Sequence, residues 1–190
     1  AMVPVAPQLG CETVKDALAV PQVEKYINTM VGREVLPGID GDPAELKVFA
    51  AGILERFYNP YLKHYLKDIS LNSIAKWEAR DWPTVKDNYA KKSKEARDAL
   101  FAFAALMVLY SSQSEVEFTP NDNAEAVDFI RTTFDRNDLE GWMKGIVANR
   151  VMWNDDFSQV PFFAVEAAAY ARLILDKGMM GALKEIGAGE

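Results

Sequence analysis

Apolar residues recur along this chain at the three-and-four spacing of a helix, and no segment shows the two-residue alternation of a strand. Residues 13–36 predict a short helical turn and then a longer helix. Pro21 suits its first position, and Val23, Tyr26, Ile27, Met30, Val31 and Val35 lie along one side until Pro37 and Gly38 end it. Asp42-Pro43-Ala44-Glu45 is the clearest start signal. Asp42 can cap, Pro43 costs nothing at a first position, and Glu45 completes a capping-box pattern. Leu46, Phe49, Ala50, Ile53, Leu54 and Phe57 then form one apolar face, and Asn59-Pro60 breaks the helix. After Pro83 a helix is predicted over 84–92, and then one over 94–110. The run ALFAFAALMVLY in the latter is apolar all round, as in a helix surrounded by others. Helices follow over 124–134 and over 138–149, the second with Leu139, Trp142, Met143 and Ile146 in register. VMWNDDFSQV reads as a loop. Pro161 opens a last long helix, Gly178 stops it, and a short tail helix begins at Met179. The first ten residues, with Pro4 and Pro7, read as an extended lead-in. The expectation is an all-α, multi-helix bundle occupying residues 1–190 as one domain.

Composition narrows the functional classes. The chain has 21 basic and 28 acidic residues, a net charge of −7, which disfavours nucleic acid and anionic membranes as partners. Cys11 and His64 are each the sole residue of their type, so an intrachain disulfide and the usual zinc ligand sets are excluded. The apolar run 99–110 is too short to cross a bilayer, which takes roughly 20 residues. No basic stretch followed by an apolar run marks a secretory leader, and a cytoplasmic setting is expected. The abrupt start at MVPVAP suggests a piece of a longer protein.

Polar chemistry concentrates in residues 54–89. Between Arg56 and Arg80 stand five basic residues (Arg56, Lys63, Lys67, Lys76, Arg80) and two acidic ones (Asp68, Glu78), a locally positive stretch in an acidic chain. Such a patch suits a small carboxylate; a solvated helix face is the alternative. His64, Asp68, Asn72, Lys76 and Arg80 recur every fourth residue. On a continuous helix adjacent members would stack, although all five could not share one face. His64 is a candidate substrate ligand or general acid, with a structural histidine as the other reading. Lys76, between Ile74 and Trp77, could equally be a surface lysine with a buried stem. Trp77, Trp82, Trp142 and Trp153 read as core. Asp155-Asp156 could be imagined as metal ligands, but an acid pair in a loop is more simply a turn or a cap. Gly32, Gly38 and Gly41 lack dinucleotide-binding spacing, and neither a P-loop nor a nucleophile elbow is present.

Several separated blocks carry a family likeness: RFYNPYLKHYLKDISLNSIAKWEARDWPTV, then ALFAFAALMVLY, then LILDKGM, with MVPVA at the start. In this order they resemble the C-terminal domain of the long-chain mannitol dehydrogenase family, over nearly the whole chain. The resemblance implies a bundle like the C-terminal domain of 6-phosphogluconate dehydrogenases. It also implies an NAD-dependent oxidoreductase, nearest to the branch that reduces D-tagaturonate to D-altronate. A fructuronate or mannitol enzyme of the same family, or a non-catalytic helical interaction module, are the alternatives. In the family an N-terminal Rossmann domain holds NAD, and a Lys-x-x-x-x-Asn-x-x-His motif supplies the acid/base lysine. Both would lie upstream of Ala1, so this segment by itself is expected to be inactive. By the same likeness Lys76 matches a lysine that contacts substrate oxygens, with Asn72 one turn earlier. Mannitol-specific members look to have arginine where this chain has Asp68, which puts a simple polyol in doubt. The Lys63-His64 pair resembles the uronate branch, and His64, Lys67 or Arg80 is expected to hold the carboxylate of the sugar acid.

Overall fold

In the computed structural model, which describes residues 1–58, 63–90, 96–160 and 162–187, helix α8 (Arg97–Tyr110) runs through the centre of the molecule. Every residue of 98–111 is buried, as a helix without a polar face requires. Helix α11 (Phe163–Gly187) packs along it. Helices α1 (Met2–Val5), α3 (Pro21–Met30), α7 (Trp82–Ala90) and α9 (Ala124–Thr132) also pack against α8, and α10 (Leu139–Val147) lies on α11. The remaining helices are α2 (Val14–Leu18), α4 (Pro43–Phe57), α5 (Leu66–Ile69) and α6 (Ser73–Arg80). Among the described residues there is no strand, only an isolated antiparallel bridge between Thr13 and Tyr65.

An aromatic cluster welds α6, α7, α8 and the start of α11 together. Trp82 stacks on Phe157 at 4.2 Å between centroids, Trp77 meets Phe103 at 4.8 Å, and Trp153 and Phe163 close the ring around them. Each such side chain contributes about 1.5–3 kcal/mol by burial alone. All four tryptophans are core residues.

Helix starts are satisfied locally at α2, α4, α9 and α10. Thr13 and Asp16 form a full capping box, Asp42 accepts the amides of Ala44 and Glu45, Asn123 caps α9 and Asp138 caps α10. Helix α8 has no such neighbour, since Ala96 precedes it. Glu34, fully buried, accepts from the amides of Asp98 at 2.6 Å and Ala99 at 2.9 Å. Beside it, Arg33 pairs with the buried Asp98 carboxylate at 3.1 Å.

Three expectations need correction. The lead-in is helical, α1 followed by a 3₁₀ turn at Ala6–Leu9. Its prolines fall where amides have no intrahelical partner, and buried Gln8 pins it by donating to Pro4 O and Ala105 O. The apolar face of α4 forms but is not buried: Phe49 is 66% and Phe57 37% exposed. The stretch 64–80 is not one helix, because α5 and α6 are separated at 70–72. Gly178, at φ 67° and ψ 168°, interrupts the helical backbone of α11 where a stop was expected, and the expected tail helix follows it. The expected breaks at Asn59-Pro60 and Pro161, and the residues 91–95 between α7 and α8, lie outside the described residues.

Burial pushes the Glu34 carboxyl up to about 8, against the pull of the two amides that it caps. Between its ordinary value of 4.5 and about 8 the folded chain retains a proton that the unfolded chain releases, so stability falls as pH rises through that window. Relative to Glu34→Gln, the wild-type chain should lose about 3–5 kcal/mol of unfolding free energy between pH 4.5 and 8.5, read by urea denaturation. A constant difference would refute this.

Candidate functional site

Helix α6 carries Lys76 and Arg80 and is held on three sides. Its inner face, Ser73, Ile74 and Trp77, is buried. Near its C-terminus, Glu78 accepts from Asn154 N at 2.6 Å, Asn154 Nδ2 at 3.0 Å and Asp155 N at 2.8 Å. Its N-terminus is tied to the loop before α9: Asn72 N donates to Asn121 O, and Ile74 N donates to Asp122 Oδ2, both at 2.9 Å. A serine relay joins it to α5, Ser73 Oγ donating to Ser70 O and Ser70 Oγ to Lys67 O.

Asn72 sits at the head of this helix in the left-handed region, φ 54° and ψ 45°, and its side chain makes no capping bond. Asparagine tolerates this conformation better than most residues, but it is uncommon and recurs at functional sites. Lys76, one turn on, is half-buried, and its ammonium donates to Ile69 O at 3.1 Å. Arg80 follows one turn later and is exposed. Asn72, Lys76 and Arg80 are therefore brought onto one helix.

His64 and Lys67 are not. Half-buried His64 belongs to the segment paired with 12–14, where its carbonyl accepts Val14 N at 3.0 Å and Leu66 N donates to Glu12 O at 2.8 Å. Lys67 is exposed on α5, with its ammonium 5.6 Å from the centre of the Tyr65 ring. It lines a hollow of about 410 Å³ together with Cys11, Tyr65, Phe118 and two acids, Glu12 and Glu117. Asp68 is exposed on α5.

Asp155 and Asp156 act as structural acceptors. Lys86 and the Trp82 indole hold Asp155 well below the usual carboxylate range, and Asp156 caps the turn Phe157–Gln159 through Ser158. Among the described residues no group of three His, Cys, Asp or Glu side chains could hold a metal ion, and no helix is long and apolar enough to cross a membrane. Nor do they contain the strand-turn-helix glycine cradle that a dinucleotide needs.

The sequence reading did not find Asp122, Glu78 or Tyr110 as part of this site. Asp122 lies between the helices predicted over 94–110 and 124–134, and its partner Ile74 is 48 positions away, beyond the reach of any local pattern.

Residues 1–174 match the model of the mannitol dehydrogenase C-terminal domain. The chain belongs to the mannitol dehydrogenase family. It is 30% identical over 187 residues to the altronate oxidoreductase of Bacillus subtilis (strain 168), covering 97% of this chain and 38% of that protein. It is likewise 30% identical over 186 residues to the altronate oxidoreductase of Bacteroides thetaiotaomicron, covering 96% and 39%. The chain thus spans about two fifths of the length of these relatives. Its fold matches part of Pseudomonas fluorescens mannitol 2-dehydrogenase, solved as a ternary complex with NAD and D-mannitol. There the TM-score is 0.86 at 17% identity, over 100% of this chain and 38% of that one. A substrate-free D-sorbitol dehydrogenase matches at TM-score 0.79 and 14% identity, over 96% and 37%.

Within this family member, the backbone at Asn72 carries a cost that distinguishes two substitutions. Asn72→Ala should lower stability by about 1 kcal/mol more than Asn72→Gly, since only glycine enters the left-handed region freely. Equal thermal shifts for the two would mean that residue 72 is not left-handed.

Proposed function

We propose that this domain forms the substrate-side wall of an NAD-dependent oxidoreductase that reduces D-tagaturonate to D-altronate. The observation that carries this reading is the first turn of α6, which presents exposed Asn72 at its head and half-buried Lys76 and is held by three sets of bonds, in a chain that is similar over almost its full length to altronate oxidoreductases. NADH, when bound by the nucleotide domain of the full-length protein, would supply the hydride and leave as NAD; the residues of this chain hold the sugar acid.

Lys76 offers an ammonium, and Asn72 an amide that both donates and accepts, to hydroxyl or carbonyl oxygens of the substrate. Fixing those oxygens fixes which carbon faces the cofactor, and a helical wall excludes water from that carbon. Arg80, on the same helix, suits a carboxylate because its guanidinium can bind two oxygens at once. Lys67 is less suited, because Glu12 and Glu117 share its hollow and repel an anion. His64 remains a second candidate for the carboxylate. The cytoplasm is the setting in which this chemistry is proposed.

The test is NADH oxidation by the full-length enzyme with D-tagaturonate, D-fructuronate and D-fructose. D-Tagaturonate should be the preferred substrate. Lys76→Ala should lower kcat/KM about 100-fold, a loss of about 2.7 kcal/mol. Arg80→Ala should raise KM for the uronates and leave that for neutral D-fructose unchanged. Preference for D-fructose would move the enzyme to the mannitol branch, and absence of turnover with all three would favour a non-catalytic interaction module.

A further inference from the structure

We infer that Asp122 is a positioning residue for the substrate wall, setting the place of Asn72 and Lys76 from outside their helix. The inference rests on the proposed role of those two residues.

An eight-residue helix has free amides in its first turn, and the residue before it usually caps one with its own side chain. Asn72 has a suitable side chain, but its left-handed backbone does not use it so, and no capping bond forms. The task falls to Asp122, whose Oδ2 accepts Ile74 N at 2.9 Å, while Oδ1 accepts Asn123 N at 2.9 Å. Delegating the cap leaves the Asn72 amide available to a ligand. It also sets a carboxylate at the positive end of the α6 dipole, where charge and hydrogen bond reinforce one another.

Asp122 is itself held from the core. Tyr110, fully buried at the end of α8, donates its hydroxyl to the same Oδ2 at 2.9 Å. Phe118 stacks on its ring, and Arg131 Nε donates to its carbonyl at 3.1 Å. Burial, with the Asp122 charge beside it, holds the Tyr110 phenol far above its ordinary value, so it remains a donor at every working pH. A chain of bonds therefore runs from α8 through Tyr110 and Asp122 to Ile74, two residues from both Asn72 and Lys76. A small shift at Asp122 tilts the turn that presents both side chains.

The experiment uses the full-length enzyme with NADH and D-tagaturonate, in the variants Asp122→Ala, Asp122→Asn, Tyr110→Phe and Lys76→Ala. Asp122→Ala should raise KM for D-tagaturonate about tenfold with KM for NADH unchanged. Asp122→Asn, which keeps an acceptor for Ile74 N, should recover most of that loss, and Tyr110→Phe should raise the sugar KM two- to threefold. In a Lys76→Ala background Asp122→Ala should add less than in the wild type, because both changes act on one contact. Amide exchange over 73–77 should quicken in Asp122→Ala and Tyr110→Phe whatever the substrate. If Asp122→Ala does not fold, the asparagine and phenylalanine variants decide by the same two readouts.

Unchanged exchange over 73–77, or a fall in kcat with the sugar KM unmoved, overturns the inference. A sugar KM that responds to Lys76→Ala but not to the Asp122 and Tyr110 variants overturns the inference alone. A kcat/KM for D-tagaturonate indifferent to Lys76→Ala overturns the proposed site and this inference with it.

Discussion

A helix with no polar face dictates the rest of this molecule. Since every side of α8 is apolar between Asp98 and Tyr110, other helices must surround it, and polar groups can enter only at its two ends. At the N-terminal end the free amides of Asp98 and Ala99 lie inside the protein, and the carboxyl group of Glu34, brought from the turn after α3, satisfies them. At the C-terminal end the Tyr110 hydroxyl emerges against Asp122. Both ends thus depend on a polar side chain from a distant segment, and the second is where the candidate site is attached.

The stiffness of α6 follows from that arrangement. An isolated helix of eight residues is not stable in water, so its geometry is set by what grips it. The aromatic cluster grips its inner face, Glu78 its C-terminal half and Asp122 its N-terminus. A left-handed non-glycine residue is tolerated at Asn72 because the bonds on either side, Asn72 N to Asn121 O and Ile74 N to Asp122, over-determine the backbone there. One of the three left-handed non-glycine residues among those described therefore falls on the residue proposed to meet the substrate.

What the sequence made legible was local. Asp42 and Asp138 mark helix starts through bonds within a turn of themselves, Pro21 marks one by its fixed backbone at a first position, Gly178 marks a break by its own backbone freedom, and the apolar run of α8 announces its burial. What failed was non-local. The prolines of the lead-in suggested extended chain, but a distant contact, Gln8 to Ala105 O, fixes a helix in which they do no harm. The fourfold stripe from His64 to Arg80 implied one helix; the serine relay and the left-handed Asn72 break it in two. Periodicity identified the apolar face of α4 correctly without indicating whether anything covers it. Lys76 was legible through family likeness, whereas Asp122 had no signal, because a cap supplied from 48 residues away leaves no spacing to read.

Charge explains why position matters so much here. This chain carries a net −7, and an anionic sugar acid gains no long-range attraction from it. At physiological ionic strength, exposed charges act over only about 8 Å, so the basic residues on and around α6 are felt only once the substrate is almost seated. In the proposed site recognition then falls to hydrogen bonds with Asn72, Lys76 and a nearby cation, and hydrogen bonds weaken steeply with small errors in distance and angle. A wall of this kind discriminates only if its side chains are already in place before the ligand arrives. The tethers at Asp122 and Glu78 meet that requirement by fixing both ends of one short helix to different parts of the core.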